Sequence, residues 1–104
     1  MRFALLIIAC WALMGAARAQ SAAALLRDCV APREMSDVVA KNGVVSPAKA
    51  VITARQQVPN ADVVRANLCR NQNALVYVIV ALRPDGRIVH VMIDGPSGRV
   101  NSVQ

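Results

Sequence analysis

Residues 73–100 read NALVYVIVALRPDGRIVHVMIDGPSGRV and contain two apolar, β-branched runs, 75–82 and 88–93. Between the runs, Pro84, Asp85 and Gly86 suit the second position, the third position and the left-handed residue of a tight turn. An apolar strand, a short turn and a second apolar strand are typical of a β-hairpin. The following DGPSG, which begins with Asp94 and ends with Gly98, predicts a second reversal and a short final strand.

A helix and one further strand precede this hairpin. Ser46 and Pro47 suit the N-cap and the first residue of a helix, and apolar residues follow at helical spacing as far as residue 58. Residues 62–69, DVVRANLC, alternate so that Val64, Ala66 and Leu68 share one face. We therefore predict an α+β fold, in which one main helix packs on a three- to four-stranded antiparallel β-meander.

The N-terminal part of the chain predicts two further short helices, over residues 22–27 and 33–41. Together they make a helical N-terminal extension, residues 20–43. The meander and its main helix then form the principal domain, residues 44–104.

Residues 1–19 have the pattern of a signal peptide. Arg2 precedes an apolar run over 3–15, and an Ala-x-Ala site ends at Ala19, directly before Gln20. The apolar run is shorter than the roughly 20 residues needed to cross a bilayer. A retained anchor, or lipid attachment at Cys10, is the less favoured alternative. We expect a periplasmic or secreted protein after cleavage near Ala19–Gln20, with no stable membrane anchor.

Cleavage of the leader changes the composition of the chain. Removing 19 residues from 104 leaves 85, enough for one domain with a modest core. Arg2 and Arg18 leave with the leader, so ten basic residues face six acidic ones, a net charge of +4. The basic residues are scattered, and Tyr77 is the only remaining aromatic residue. Nucleic-acid binding usually needs a basic face or aromatic residues that stack on bases, so we expect none.

Two cysteines, Cys29 and Cys69, remain in the mature chain. Two cysteines in an exported protein predict one disulfide, with two free thiols as the alternative. The bond closes a loop of roughly 40 residues, which is worth about 4 kcal/mol in the chain-entropy account. The sequence lacks a Cys-x-x-Cys pair and further Cys or His ligands, so it predicts no metal site.

With its elements in this order, the chain resembles the PepSY domain family, small modules named after propeptides of secreted metallopeptidases. The resemblance covers residues 44–103. It rests on four short motifs: Tyr77, Ile79 and Ala81 in the positions of a Tyr-x-Val-x-Val strand, DGR at 85–87, ID at 93–94 for Val-Asp, and SGRV at 97–100 for Thr-Gly-x-Val. The resemblance implies a binding module that inhibits or chaperones a secreted peptidase, or that senses the state of the cell envelope.

The chain departs from the family pattern in two ways. Cys69 has no counterpart in the family, and one face of the sheet, which usually carries charged residues, is apolar here. This apolar face is the candidate interaction face, and it comprises Val76, Val78, Val80, Ile88, His90 and Met92. A sheet that is apolar on both faces needs both faces covered. We favour a cover formed by residues 21–42 and tethered by the disulfide. Pairing of this face, or of the final edge strand, with another chain is the alternative.

The residues carry no evident chemistry. His90 stands alone in a strand without a nucleophile, and Asp85 and Asp94 lie in turns, where carboxylates commonly accept from local amides. We expect the ring of Tyr77 in the core, with its hydroxyl hydrogen-bonded to a partner at the edge of the core. We therefore expect no catalytic activity, metal or cofactor, and a module that binds a secreted peptidase or an envelope protein. The alternatives are a self-associating structural protein, such as a homodimer, and a small-ligand-binding domain.

Overall fold

The computed structural model describes residues 21–104; the predicted leader, its cleavage site and Cys10 lie outside this range. The elements are, in chain order, α1 (Ala22–Leu25), a 3₁₀ turn (Pro32–Glu34), α2 (Met35–Asn42), α3 (Pro47–Gln57), β1 (Asp62–Asn71), β2 (Ala74–Leu82), β3 (Ile88–Asp94) and β4 (Val100–Val103). The strands form one antiparallel sheet in the order β1-β2-β3-β4. The predicted α+β architecture is confirmed. None of the helices described here is both long and apolar enough to cross a membrane.

The main helix, α3, lies across the sheet and contacts all four strands. It begins as predicted, because the Ser46 hydroxyl accepts a hydrogen bond from the Lys49 amide at 3.2 Å and Pro47 is the first helical residue. Ala50 and Ala54 face the strands and are buried. The sheet residues buried under this helix are Leu68, Tyr77, Ile79, Val91 and Ile93. We call this side of the sheet the first face, and the opposite side the second face.

The hairpin between β2 and β3 has the turn chemistry that its sequence predicts. Gly86 has φ +89°, and its amide donates to the carbonyl of Arg83 at 2.9 Å. The side chain of Asp85 accepts from the amide of Arg87 at 3.1 Å, and Pro84 fills the position before it. The Gly residue therefore takes the positive φ that a side chain resists.

The connection between β3 and β4 packs closely against the start of β2. Gly98 has φ +74°, and its amide donates to the carbonyl of Asp94 at 2.8 Å. Gly95 donates to the carbonyl of Leu75 at 2.8 Å and accepts from the amide of Val45 at 2.9 Å. A Cβ atom on Gly95 would lie 2.6 Å from the Leu75 carbonyl oxygen, so only glycine fits there.

A β-bulge changes the inward face of β1. The register with β2 shifts between Val63 and Arg65, which makes Val64 an extra residue. Val64 is 55 % exposed, whereas Val63 packs against the buried residues of the first face. The prediction that Val64 shares a face with Ala66 and Leu68 is therefore wrong for Val64, because strict alternation assumes a strand without a bulge.

The N-terminal segment wraps around the outer edge of β1. Cys29 lies opposite Cys69 in a short antiparallel bridge, flanked by two backbone hydrogen bonds of 2.7 Å, and the two cysteines form a disulfide. Neighbouring residues of an extended segment point to opposite faces. Cys29 therefore packs on the second face, whereas Val30 is buried among residues of the first face.

This wrap divides the segment that was expected to cover the second face. Ala22 and Leu25 of α1 pack on that face. Met35, Val38 and Val39 of α2 pack on the first face instead. The expectation that all of residues 21–42 cover the second face is therefore correct for α1 and the disulfide, and wrong for α2.

Candidate interaction surface

Half of the interaction face expected from the sequence lies beneath α1. Val76, Val78 and Met92 are buried together with Cys69, and Leu25 of α1 belongs to the same cluster. These three strand residues are almost completely buried in the folded chain. They form a small second core.

The other half of that face stays open. Val80 pairs with His90, and Leu82 pairs with Ile88, so the four side chains lie side by side at the hairpin end of the second face. Ile88 is 48 % exposed and Leu82 is 36 % exposed, whereas Val80 and His90 are half-buried. We call these four residues the exposed strip. Leu82 was not singled out from the sequence, although the same alternation that includes Val80 places it on this face.

Charged groups of both signs surround the exposed strip. On β1, Arg65 lies opposite Val80, and Asp62 lies opposite Leu82. At the hairpin turn, Arg83 and Asp85 form an ion pair of 3.1 Å. An apolar centre with a mixed polar border is the usual composition of a protein–protein interface.

Strand β4 is an edge of the sheet, since only β3 pairs with it among residues 21–104. His90 and Gln104 exchange both of their backbone hydrogen bonds, each of 2.8 Å. In an antiparallel ladder such a pair alternates with pairs whose backbone groups point outward. Val103, which lies opposite Val91, therefore turns its N–H and C=O groups away from β3.

A groove of about 220 Å³ runs between α1 and β4 on the second face. Its apolar lining comes from Leu25, Val76 and Met92. Its polar lining comes from Asn71, Asn101, Ser102 and Gln104, and no charged side chain takes part. We call this feature the α1–β4 groove. No sequence pattern indicates this groove, because its lining residues come from four segments that are distant in the chain.

Two titratable residues with shifted pKa values serve the fold. Burial raises the pKa of Tyr77, whose hydroxyl donates to the carbonyl of Val45 at 2.6 Å. The side chain and the backbone amide of Ser97 donate to one carboxylate oxygen of Asp94, at 2.7 and 2.9 Å, and these bonds lower the pKa of Asp94. Both residues therefore anchor loops.

The predicted site residues thus fall into three groups. Cys29 and Cys69 form the tether. The turn residues, Pro84, Asp85, Gly86, Asp94 and Gly98, lie in the two reversals that the sequence indicates. The six residues of the interaction face divide equally between the second core and the exposed strip. Among residues 21–104, no three His, Cys, Asp or Glu side chains come together as metal ligands would.

Comparison of the chain with protein-family models, with curated proteins and with solved structures finds no match. The resemblance to PepSY domains therefore stays a prediction.

Proposed function

We propose that this chain is an exported protein-binding module that modulates a secreted or envelope protein, such as a peptidase, by inhibiting or chaperoning it. The observation that carries the proposal is the exposed strip. Contiguous apolar residues on a regular sheet are open to solvent beside a helix that covers the rest of the same face.

The strip has the physical properties of a binding surface. Single exposed apolar residues are common on proteins, whereas side chains that are adjacent across two strands form a patch. Leu82 and Ile88 are partly exposed, so full burial against a partner contributes at most about 1.5–3 kcal/mol for each side chain. The strands hold both residues in place, so little conformational entropy is lost on binding.

Two further features support export and regulation. The disulfide between Cys29 and Cys69 is of the kind that persists in oxidising compartments, in agreement with the predicted leader. The resemblance to PepSY domains implies a peptidase or an envelope sensor as the partner. Inhibition and chaperoning both require contact with the partner, and the strip offers a surface for that contact.

The test is retention of a partner from envelope extract by the full chain, exported and oxidised. Ile88→Lys places a charge in the exposed strip. Ile52→Lys is the matched control, because Ile52 is 55 % exposed on α3, on the other side of the sheet. We expect the wild type and Ile52→Lys to retain the same protein, and Ile88→Lys to retain about tenfold less, the equivalent of 1.4 kcal/mol.

Equal retention by the two variants would remove the exposed strip as the binding surface. Recovery of the chain alone, with a size-exclusion mass above that of one copy, would favour the self-associating alternative. If a peptidase is retained, its activity with and without the bound chain distinguishes inhibition from chaperoning.

A further inference from the structure

We propose that β4 accepts an extended segment of the partner as a fifth strand, and that one uncharged, apolar side chain of that segment occupies the α1–β4 groove. This inference rests on the proposed function, and it names the contact and the chemistry of the partner segment. Strand addition at a sheet edge obtains affinity from backbone hydrogen bonds and specificity from pockets for alternate side chains.

The two edges of the sheet differ in their protection. The outer edge of β1 carries the disulfide-linked bridge at Cys29 and a bulge at Val64. Bridges, bulges, charges and prolines are common means of blocking an edge. From Val100 to Gln104 the chain reads VNSVQ, with neither a charge nor a proline, and its one irregularity lies at its start, opposite Ile93. Within residues 21–104, β4 therefore has fewer of these protections than β1.

The backbone of β4 offers a short but defined contact. Val103 turns its N–H and C=O groups outward, as the His90–Gln104 pair requires. A four-residue edge strand provides few such groups, and each hydrogen bond has a net value of only about 0.5–1.5 kcal/mol. A specific complex at this edge therefore needs a side-chain contact as well.

The groove supplies that contact. Ser102 lies opposite Met92, so its side chain is on the second face and lines the groove. A residue of an added strand that lies opposite Ser102 projects to the same face, beside the groove. The lining of Leu25, Val76 and Met92 favours an apolar side chain there. An ionised side chain would lose hydration there, and none of the lining side chains carries a charge to compensate for that loss.

The volume of the groove suits a single side chain better than a whole small-molecule ligand. At about 220 Å³ it is smaller than the roughly 300–1,000 Å³ of pockets that hold drug-sized molecules. The groove also adjoins the edge strand through Ser102 and Asn101. A side chain anchored on an added strand fits both properties.

The test begins with a displayed library of short linear peptides, selected on the full, oxidised chain. We expect enriched sequences with one large apolar residue at a fixed position, and with no charge there. The affinity of the strongest sequence is then measured by fluorescence polarisation. Val103→Pro removes the outward amide, and Ser102→Phe fills the groove. Each substitution should weaken binding about tenfold or more, the equivalent of 1.4 kcal/mol.

The two variants act through different parts of the site. Val103→Pro leaves the bonds between β3 and β4 intact, since the amide of Val103 points away from β3, so its unfolding midpoint should equal that of the wild type. Ser102→Phe keeps every backbone group. If the proline variant is unstable, this variant alone tests whether the peptide uses the groove. Ile52→Lys, on the exposed side of α3 and on the other side of the sheet, is the control and should leave the affinity for the peptide unchanged.

Strand addition is overturned if no sequence is enriched, or if the selected peptide binds both variants as tightly as the wild type. It is also overturned if Val103→Pro converts a dimer into a monomer, because a second copy would then occupy the edge. A partner that is lost with Ile88→Lys but kept by both β4 variants supports the proposed function and overturns this inference. Peptide binding at β4 without any retained partner overturns the proposed function alone.

Discussion

Tyr77 connects the sheet to the segment that precedes α3. Its ring is buried on the first face, and its hydroxyl donates to the carbonyl of Val45 at 2.6 Å. The sequence predicts the buried ring, because Tyr77 alternates with Ile79 in an apolar strand. It does not identify Val45 as the partner, because the two residues are 32 positions apart and belong to no shared pattern.

Burial raises the pKa of Tyr77 above its ordinary value of 10.0, which predicts a stability that depends on alkaline pH. The unfolded chain loses the tyrosine proton first. The stabilisation of the neutral form is therefore complete below the unfolded pKa and is lost as the pH rises towards the folded pKa. We expect the urea midpoint to fall above about pH 10. The chain has one tyrosine, so tyrosinate absorbance reports this residue directly.

Tyr77→Phe provides the control for this prediction. The substitution should remove the tyrosine-linked fall at alkaline pH. At neutral pH it should lower the free energy of unfolding by about 0.5–1.5 kcal/mol, since the carbonyl of Val45 loses its donor. If the tyrosine of the folded protein titrates at the same pH as the tyrosine of the urea-unfolded chain, the prediction is wrong.

Among the secondary-structure elements, those with local signals were predicted well. The turn at Gly86 and the N-cap at Ser46 depend on neighbouring residues, and both have the expected geometry. The bulge at Val64 depends on the register with another strand, which alternation within β1 does not reveal. The position of α2 depends on the chain crossing from the second face at Cys29 to the first face at Val30. That crossing can be inferred only when residues 28–30 are known to pair with β1.

The connection between β3 and β4 makes a direct prediction about Gly95. In Gly95→Ala the new Cβ would lie 2.6 Å from the carbonyl oxygen of Leu75, and backbone cannot yield as a flexible side chain can. Overpacking of this kind costs about 1–3 kcal/mol, and we expect a loss of that size in urea unfolding. The control is Gly43→Asn, because Gly43 has φ +62° in open space and Asn tolerates that conformation.

A loss no larger than that of Gly43→Asn would show that the connection moves away from β2 without cost. The β3–β4 connection would then be a poor anchor for β4. In that case the orientation of the edge strand would depend on its pairing with β3 alone.

The whole molecule is a sheet with two apolar faces and unequal covers. Among residues 21–104, the first face is covered by α3 and α2, whereas the second face is covered by the four residues of α1 and the disulfide that holds the segment in place. The sequence predicts both apolar faces from alternation, and the pairing of Cys29 with Cys69 from their number. The extent of the cover was not predictable, because it depends on where the chain crosses the edge of β1.

The tether predicts that stability depends on the compartment in which the chain folds. An isolated helix of one turn is unstable in water, so α1 needs the disulfide to stay on Val76, Val78 and Met92. Reduction of the oxidised chain should lower the free energy of unfolding by about 4 kcal/mol and increase the binding of an apolar dye. Cys29→Ser combined with Cys69→Ser should give both effects without reductant.

Leu25→Ala keeps the disulfide but weakens the cover, and so separates the two contributions. It should cost about 2–5 kcal/mol, as deletion of a buried leucine side chain does, while the disulfide still holds the segment against β1. If reduction changes neither the unfolding midpoint nor dye binding, α1 stays in place without its tether. The disulfide would then secure the edge of β1 rather than the second core, and the α1–β4 groove would persist in a reducing environment as well.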